Sequence, residues 1–399
     1  MTPLDRTRMQ DALALAQTAI GITEPNPRVG CVVGHEDGRV LGQGATQAPG
    51  QAHAEVMALR DAAAAGHQVR GATAWVTLEP CAHFGRTPPC CDALIDAGLA
   101  RVVVAVADPF PQVAGAGIHR MRAAGMQVDM AAPELAHAAW DLNIGFFSRV
   151  LRQRPWVRVK VAASLDGRTA LDNGKSQWIT GAAARADGHC WRHRASAILT
   201  GVGTVLADNP RLDVRGMPGS AWQPLRVVVD STLRTPLDAR LLDRPGQVLI
   251  ATALREGDND HRAAHAAATL RQRGVEVCKI HSQAQAAVQD AGRVDLGALL
   301  QFLSARGVGE LHVEAGPTLT GALAKGGWVD EWLVYLAPKL LGGGHGIVHW
   351  PPLTALDGAM ELSHLETLFL APDLRLRFAP AGPARLPIPD LPGSPGSTP

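Results

Sequence analysis

Apolar and polar positions alternate along the chain in blocks that predict helices and strands in turn. Near the start, apolar residues recur at a roughly helical period at Leu4, Met9, Leu13, Ala16 and Ile20. The later run RVVVAVAD is almost continuously apolar and rich in valine, which is typical of a strand buried on both faces. Strands that alternate with helices predict α/β domains with largely parallel sheets.

This alternation starts twice. The first round ends near residue 147, and the second begins after RVLRQRP and ends near residue 380. We therefore predict one domain at residues 1–147, a linker at 148–155 and a second domain at 156–380. The final stretch, 381–399, is rich in Pro, Gly and Ser and is predicted to be disordered.

Charge and apolar runs restrict the class of protein. The 38 basic and 37 acidic residues nearly cancel, whereas proteins that grip long nucleic acids usually carry a basic excess. We see no apolar run near the length of a membrane span and no signal-peptide pattern at the start, so we expect a cytoplasmic protein. In that compartment, clustered cysteines are better interpreted as metal ligands or reactive thiols than as disulfides.

Half of the six cysteines fall in TLEPCAHFGRTPPCC, residues 77–91. Upstream, HAEV places His53 and Glu55 at a predicted helix start. A His-x-Glu pair, a Pro-Cys after a strand and a further cysteine at a second helix start form the pattern of zinc deaminases. One imidazole and two thiolates hold zinc and leave a fourth position for water. We predict His53, Cys81 and one of Cys90 and Cys91 as ligands, with Glu55 as proton shuttle.

The second half contains two junctions in which glycine follows an apolar strand and precedes a helix-like stretch. Gly201 and Gly203 form one, and Gly316 with Pro317 forms the other. Glycine at such a junction lets backbone amides approach phosphate, so the pair of junctions suggests the pyrophosphate of a dinucleotide.

Longer motifs carry a family resemblance over roughly residues 5–378. TEPNPRVG, EPCAHFGRTPPCC, KVAASLDGRTAL, SQWITG, GVGTVLADNPRLDVR and EAGPTLTGAL together resemble the bifunctional riboflavin-biosynthesis deaminase/reductases. The resemblance implies a cytidine-deaminase-like α/β/α domain followed by a dihydrofolate-reductase-like α/β domain. It also implies one Zn²⁺ per chain in the deaminase site, and NADPH as the cofactor of the reductase.

The resemblance also assigns residues. It implies Cys90 rather than Cys91 as the third zinc ligand, and it implies a deaminase pocket that includes Asn26, His83, Arg86 and Thr87. The implied NADPH contacts are Ala162, Trp178, Thr204, Asp208, Ser231, Gly316, Pro317, Thr318, Leu319, Thr320, Gly321 and Ala322. The implied substrate contacts of the reductase are Ser176, Arg192, Leu212, Arg215 and Glu314. One position departs from the family, because Thr46 stands where a histidine is common.

The expected partner is a small pyrimidine ribosyl phosphate, with no nucleic acid and no membrane, and we expect a homo-oligomer. Asp208 is the best candidate for a proton donor in the reduction. Two rival hypotheses remain from the sequence: a nucleic-acid-editing deaminase with an accessory domain, and a binding module stabilised by a closed zinc site without catalysis.

Overall fold

The structure is a computed structural model that describes residues 1–84, 88–110, 115–217, 219, 221–243, 246–254, 260–280, 292–382 and 386. It contains two compact units, of which the first runs from Met1 to Gln153 and the second begins at Arg154. In the described part of the chain, no helix is both long and apolar enough to span a membrane.

The first unit is a five-stranded sheet with helices. Its helices are α1 (Pro3–Thr18), α2 (Ala54–Ala64), α3 (Cys90–Asp96), α4 (Ala116–Ala123), α5 (Pro133–Leu142) and α6 (Ile144–Arg152). Its strands are β1 (Gly30–Gly34), β2 (Val40–Ala45), β3 (Thr73–Val76), β4 (Arg101–Val104) and β5 (Gln127–Met130). The strand order is β2-β1-β3-β4-β5.

Four of the five strands of this sheet, β2, β3, β4 and β5, run in the same direction, as predicted, and β1 is the exception. Strands β3, β4 and β5 are parallel, but β1 is antiparallel to both of its neighbours, β2 and β3. The cause is the short turn between β1 and β2, which forces an antiparallel hairpin. The crossover through α2 then brings β3 back parallel to β2, so β1 lies between two strands that both oppose it.

Two glycines let helices lie unusually close to this sheet. A Cβ atom on Gly30 would lie 1.9 Å from the Ala12 carbonyl oxygen in α1, and one on Gly42 would lie 2.3 Å from the Ala58 carbonyl oxygen in α2. Neither distance is compatible with a side chain. The second contact fixes the height of α2 above the sheet, and α2 begins directly after His53.

A buried carboxylate fastens the start of α1. Thr2 and Asp5 form a capping box, and the Asp5 carboxylate also accepts from the Trp75 indole at 2.9 Å and from Arg101 at 2.7 Å. Burial alone would raise the pKa of Asp5, but the hydrogen bonds from Arg101, Thr2 and Trp75 outweigh it and hold the pKa far below the usual range. The helix end is thereby joined to β3 and β4.

The second unit is a nine-stranded sheet. Its strands are β6 (Trp156–Ser164), β7 (Ala197–Gly201), β8 (Leu225–Val229), β9 (Val248–Thr252), β10 (Glu276–Lys279), β11 (Glu310–Val313), β12 (Glu331–Ala337), β13 (Leu362–Leu370) and β14 (Asp373–Pro380). Its helices are α7 (Ala182–Arg194), α8 (Val202–Asp208), α9 (His261–Gln272), α10 (Leu296–Ala305) and α11 (Pro317–Lys325), with a short 3₁₀ turn at Leu356–Gly358.

The strand order in this sheet is β10-β9-β8-β7-β11-β6-β12-β14-β13. The strands from β10 to β12 are parallel, and the hairpin β13–β14 adds two antiparallel strands at one edge. Val157, Leu199, Val227, Leu249 and Leu311 of the parallel part are all fully buried, in agreement with the apolar runs predicted as strands.

A cluster of buried ions lies on this sheet. Arg158 in β6 donates to Glu310 at 2.8 Å and to Glu331 at 3.0 Å, and all three side chains are almost completely shielded from solvent. Arg377 donates to the other oxygen of Glu331 at 2.7 Å. Burial alone would raise the pKa of Glu331, but Arg158 and Arg377 lower it to about 2. The Arg158 guanidinium also lies 4.4 Å from the ring of Trp191.

Tyr335, the single tyrosine of the chain, is buried in β12. Its hydroxyl donates to Asp187 of α7 at 2.6 Å, and Arg375 of β14 donates to the same carboxylate at 2.9 Å. Burial and the neighbouring Asp187 carboxylate raise the pKa of the phenol far above its usual range. These contacts join helix α7 to the sheet. Because Tyr335 is the single tyrosine of the chain, its ionisation can be followed without overlap from another phenol.

We expect Tyr335 to stay protonated in the folded protein at pH values where a free tyrosine ionises, about pH 10. Because the folded pKa is raised, its contribution to stability is complete below about pH 10 and is lost as the pH rises further. The ultraviolet absorbance of tyrosinate after a rapid pH jump measures this directly, with Tyr335→Phe as the blank. A reversible titration of the folded protein with a midpoint near 10 would contradict the buried hydrogen bond.

Candidate active sites

The first candidate site lies where two helices begin beside the end of β3. His53 is the residue directly before α2, Cys90 is the first residue of α3, and Cys81 follows β3 in the connecting loop. Nδ1 of His53 lies 3.7 Å from Sγ of Cys81 and 3.3 Å from Sγ of Cys90. Among the described residues, these three are the group whose ligand atoms converge closely enough to hold a metal ion.

These separations fit a zinc ion. With Zn–N and Zn–S bonds of about 2.1 and 2.3 Å at a tetrahedral angle, the nitrogen and sulfur ligands stand about 3.6 Å apart. The two measured distances, 3.3 and 3.7 Å, lie on either side of that value. His53 and Cys90 both lie at helix N-termini. For Cys90, the helix dipole at that position favours the thiolate over the thiol. Hydrogen bonds from Cys90 and His53 lower the pKa of the Cys81 thiol to about 4.

Cys91 is placed differently from Cys90. It is fully buried, and its Sγ lies 3.7 Å from the Asp92 carboxylate rather than near His53. Burial and Asp92 raise the pKa of its thiol to about 11. The two adjacent cysteines therefore point to different surroundings.

Glu55 lies in the first turn of α2 and is buried in the wall of the cavity that contains His53 and Cys81. Burial and the charge of Cys81 raise the pKa of its carboxyl to about 7. A carboxyl group with a pKa near neutrality can both accept and release a proton during turnover. It is not one of the three converging ligands.

The cavity around these groups has a volume of about 450 Å³. Asn26 and His83, which the family resemblance assigns to the substrate pocket, both line it, and so does Thr46. Thr46 is buried, and its hydroxyl lies 3.5 Å from the Val29 carbonyl oxygen. Arg86 and Thr87 lie outside the described residues.

A second carboxylate, Glu79, shapes the rim of this cavity. Its two oxygens accept from four backbone N–H groups, those of Asp108, Gly115, Gly117 and Ile118, at 2.9–3.2 Å. Burial raises its pKa, and the four hydrogen bonds act in the opposite direction. Glu79 thus fixes the segments on either side of residues 111–114.

The second candidate site is a cavity of about 530 Å³ in the second unit. Seven of the predicted contacts line it: Trp178, Arg192, Thr204, Asp208, Leu212, Arg215 and Glu314. Six lysine and arginine side chains face two carboxylates there, so the cavity is strongly positive. A site of this kind suits a phosphorylated ligand.

Within this cavity, Glu314 connects two basic side chains. Arg192 holds both of its oxygens in a bidentate ion pair, and Nζ of Lys160 lies 3.9 Å from one of them. Burial alone would raise the pKa of Glu314, but Arg192 and Lys160 hold it well below the usual range. Burial lowers the pKa of Lys160, and Arg192 adds to this effect. Lys160 is thus a cation with an increased tendency to release its proton.

Arg192 therefore has a partner already, whereas Arg215 is more available to an anion. Arg215 is exposed and contacts Asp213 at 3.1 Å, and its backbone N–H donates to His189 at 3.3 Å. Burial and the two arginines lower the pKa of His189 to about 4, so the imidazole is neutral near pH 7.

The two glycine junctions meet beside this cavity. Helix α8 begins directly after Gly201 and α11 directly after Gly316, as the sequence predicts, whereas Gly203 lies inside α8 rather than before it. The Gly316 N–H donates to the Thr204 hydroxyl at 3.1 Å, and the Glu314 N–H donates to the Leu199 carbonyl at 2.9 Å. The starts of the two helices thus lie together, which fits a bound dinucleotide.

The other predicted contacts lie outside the cavity lining. Ser176 donates to Asp208 at 3.1 Å, Ala162 packs near Tyr335, and the Ser231 hydroxyl accepts from the Val294 N–H at 3.2 Å. Pro317, Thr318, Leu319, Thr320, Gly321 and Ala322 form the first two turns of α11. Gly321 permits close packing, since a Cβ there would lie 2.5 Å from the His349 carbonyl oxygen.

Several residues that line the cavities were not predicted. Lys160, Tyr335 and His189 line the second cavity, and Asp108, Phe110 and Arg149 line the first. Lys160 was hidden within the strand WVRVKVAAS, where its charge in an apolar run was the available signal. Burial raises the pKa of Asp108 to about 7.

Comparison with protein families divides the chain at a similar place. Residues 3–106 match the cytidine and deoxycytidylate deaminase zinc-binding region, and residues 155–370 match the RibD C-terminal domain. The second match covers more than half of the chain.

Whole proteins match as well. The riboflavin biosynthesis protein RibD of Escherichia coli is 41% identical over 94% of this chain and 100% of its own length. The namesake from Aquifex aeolicus is 39% identical over 86% of this chain and 90% of its own.

Solved structures agree with these relatives. One form of Acinetobacter baumannii RibD superposes with a TM-score of 0.82 at 39% identity, covering 95% of this chain and 99% of that one. A Thermotoga maritima protein, described as a diaminohydroxyphosphoribosylaminopyrimidine deaminase/5-amino-6-(5-phosphoribosylamino)uracil reductase, superposes with a TM-score of 0.80 at 29% identity over the same shares. With both sites, both domain matches and full-length relatives in agreement, the chain belongs to the RibD family of riboflavin biosynthesis proteins.

Proposed function

We propose that this chain catalyses two consecutive steps of riboflavin synthesis, one in each unit. The deaminase converts 2,5-diamino-6-(5-phosphoribosylamino)pyrimidin-4(3H)-one to 5-amino-6-(5-phosphoribosylamino)uracil, and the reductase converts the ribosyl group to ribityl with NADPH. The observation that carries this proposal is the convergence of His53, Cys81 and Cys90 beside buried Glu55, in a chain that also carries the reductase domain. We assign deamination to residues 1–147 and reduction to residues 156–380.

In the deaminase, three residues hold the metal and one moves protons. His53, Cys81 and Cys90 would hold zinc, which would supply a Lewis acid that makes water nucleophilic near neutral pH. Glu55 accepts the proton of the attacking water and passes it to the departing amino group, which leaves as ammonia. Its pKa of about 7 suits both transfers. Asn26 and His83 orient the pyrimidine in the cavity.

In the reductase, bound NADPH would supply the hydride for C1′ of the ribosyl group. The chain supplies a proton and the charges that bind the substrate. We infer that Lys160 is the proton donor, because its pKa is lowered and its ammonium group faces the cavity beside Glu314. Asp208 is a weaker candidate, since its carboxylate is exposed and accepts a hydrogen bond from Ser176. Arg215 is placed to bind phosphate.

Incubation of the purified protein with the diaminopyrimidine phosphate tests the proposal as a whole. Without NADPH we expect release of ammonia and accumulation of the ribosylaminouracil, and with NADPH we expect the ribityl product. Absence of ammonia release in zinc-loaded protein would contradict the proposed deaminase.

Glu55→Gln should retain zinc and lose deamination, because an amide cannot shuttle protons while the three ligands stay in place. We expect a fall of at least about a hundred-fold in deaminase kcat, the lower range for a general acid–base group. Metal analysis and an ammonia assay measure the two effects. Reductase activity on the uracil intermediate serves as the control for folding, and loss of zinc would show Glu55 to be a ligand.

Cys90→Ser and Cys91→Ser form a matched pair of neighbours. We expect the first to lose most of its zinc and the second to keep it, because only Cys90 faces His53. Zinc per chain, measured after dialysis, distinguishes the two variants. The reverse result would mean that the cysteines exchange roles when the metal binds.

Lys160→Met should abolish most of the reduction while deamination and NADPH binding persist. Asp208→Asn is the comparison, and we expect it to keep more reductase activity because the Asp208 side chain is exposed and hydrogen-bonded to Ser176, whereas Lys160 lies beside Glu314. Oxidation of NADPH by each variant with the ribosylaminouracil measures the difference. Greater loss in Asp208→Asn would return the donor role to Asp208.

A further inference from the structure

Arg149 is a cation in the wall of the deaminase cavity that neither the sequence motifs nor the family resemblance points to. It lies in the last turn of α6, and it shares the cavity with His53, Glu55 and Asn26. Among the described residues that line this cavity, no other lysine or arginine occurs. The cavity therefore has one fixed positive charge from the described protein side chains.

The hydrogen-bonding capacity of Arg149 is largely unused. A guanidinium group carries five N–H donors. One terminal nitrogen of Arg149 donates to the Pro25 carbonyl at 3.1 Å, and the group lies 5.6 Å from the ring of Phe146. Its Nε is buried and has no hydrogen-bond partner in the described part of the chain.

No carboxylate neutralises this charge by direct contact among the described residues. The nearby Glu24 forms an ion pair with Arg28 at 2.7 Å, and Glu79 in the cavity wall accepts from four backbone N–H groups. Burial lowers the pKa of Arg149, and the charge of Glu24 offsets only part of that effect. A half-buried cation without a paired anion is expected to gain stability when an anion enters the cavity.

We infer that Arg149 binds the 5-phosphate of the deaminase substrate and thereby selects phosphorylated pyrimidines over their ribosides. The inference rests on the proposed function, because that substrate carries its negative charge on the phosphate. Arg149 acts through binding and holds no reacting atom. It is a contact from α6, far along the chain from Arg86 and Thr87, which the family resemblance assigns to the same pocket.

The test combines a change in the protein with a change in the substrate. Deaminase kcat/KM is measured for the diaminopyrimidine ribosyl phosphate and for its dephosphorylated riboside, with wild type and Arg149→Met. We expect the variant to lose on the order of ten- to hundred-fold on the phosphate, mainly through KM, and to change little on the riboside. Arg149→Lys should recover part of the loss, since a lysine keeps the charge without the paired donors.

Arg152→Met is the matched control. Arg152 lies one turn further along α6, donates to the Ser148 hydroxyl at 2.7 Å and does not line the cavity. We expect it to leave both deaminase values unchanged. Zinc content and reductase activity should be equal in all variants, which would exclude a general loss of folding.

Two results would overturn the inference. An equal loss on phosphate and riboside would show that Arg149 only holds the Pro25 segment, and no loss on either would show that it does not contact the substrate. If wild type releases no ammonia from either compound, that result contradicts the proposed function and leaves the inference about Arg149 to a separate test. Arg149 is then tested by titration with inorganic phosphate, where equal binding by wild type and Arg149→Met would contradict the inference.

Discussion

The arrangement of both units depends on one constraint, the burial of the central parallel strands on both faces. Most side chains along these strands are apolar and packed on both faces, so many of the functional groups lie where the chain leaves the sheet. In the first unit, Cys81 follows β3 and Asp108 follows β4. In the second, Gly201 ends β7 and Glu314 directly follows β11. Both cavities are therefore built at the carboxyl ends of parallel strands.

Burial shifts pKa values in opposite directions in the two sites. In the deaminase cavity, burial makes Glu55 easier to protonate, while hydrogen bonds make Cys81 easier to deprotonate. In the reductase cavity, burial makes Lys160 easier to deprotonate, while Arg192 keeps Glu314 ionised. Each site thus combines a group whose proton affinity is shifted by burial with a group whose ionised form is stabilised by neighbouring side chains.

The sequence predicted the parts of these sites that depend on local structure. His53 and Glu55 are two residues apart at one helix start, and Gly316 with Pro317 is a local helix start, so neither needs knowledge of the tertiary fold. Lys160 could not be assigned in this way, because its exposure to the cavity depends on how β6 lies between β11 and β12. Arg192 and Glu314 are both implied substrate contacts, but they lie far apart in sequence, so the sequence did not indicate that they pair with each other. Arg149 could not be assigned from the sequence, because its place in the cavity wall depends on how α6 packs beside the Pro25 segment.

The ion cluster around Arg158 has a consequence for behaviour at high temperature. Removing charges from water costs less free energy as the temperature rises, because the hydration of ions carries an unfavourable entropy. The bonds from Arg158 to Glu310 and Glu331 and from Arg377 to Glu331 join β6, β11, β12 and β14 through buried charge rather than apolar contact. The contribution of these ion pairs to the free energy that stabilises this sheet therefore grows on heating. Over the same range the hydrophobic stabilisation per unit area levels off.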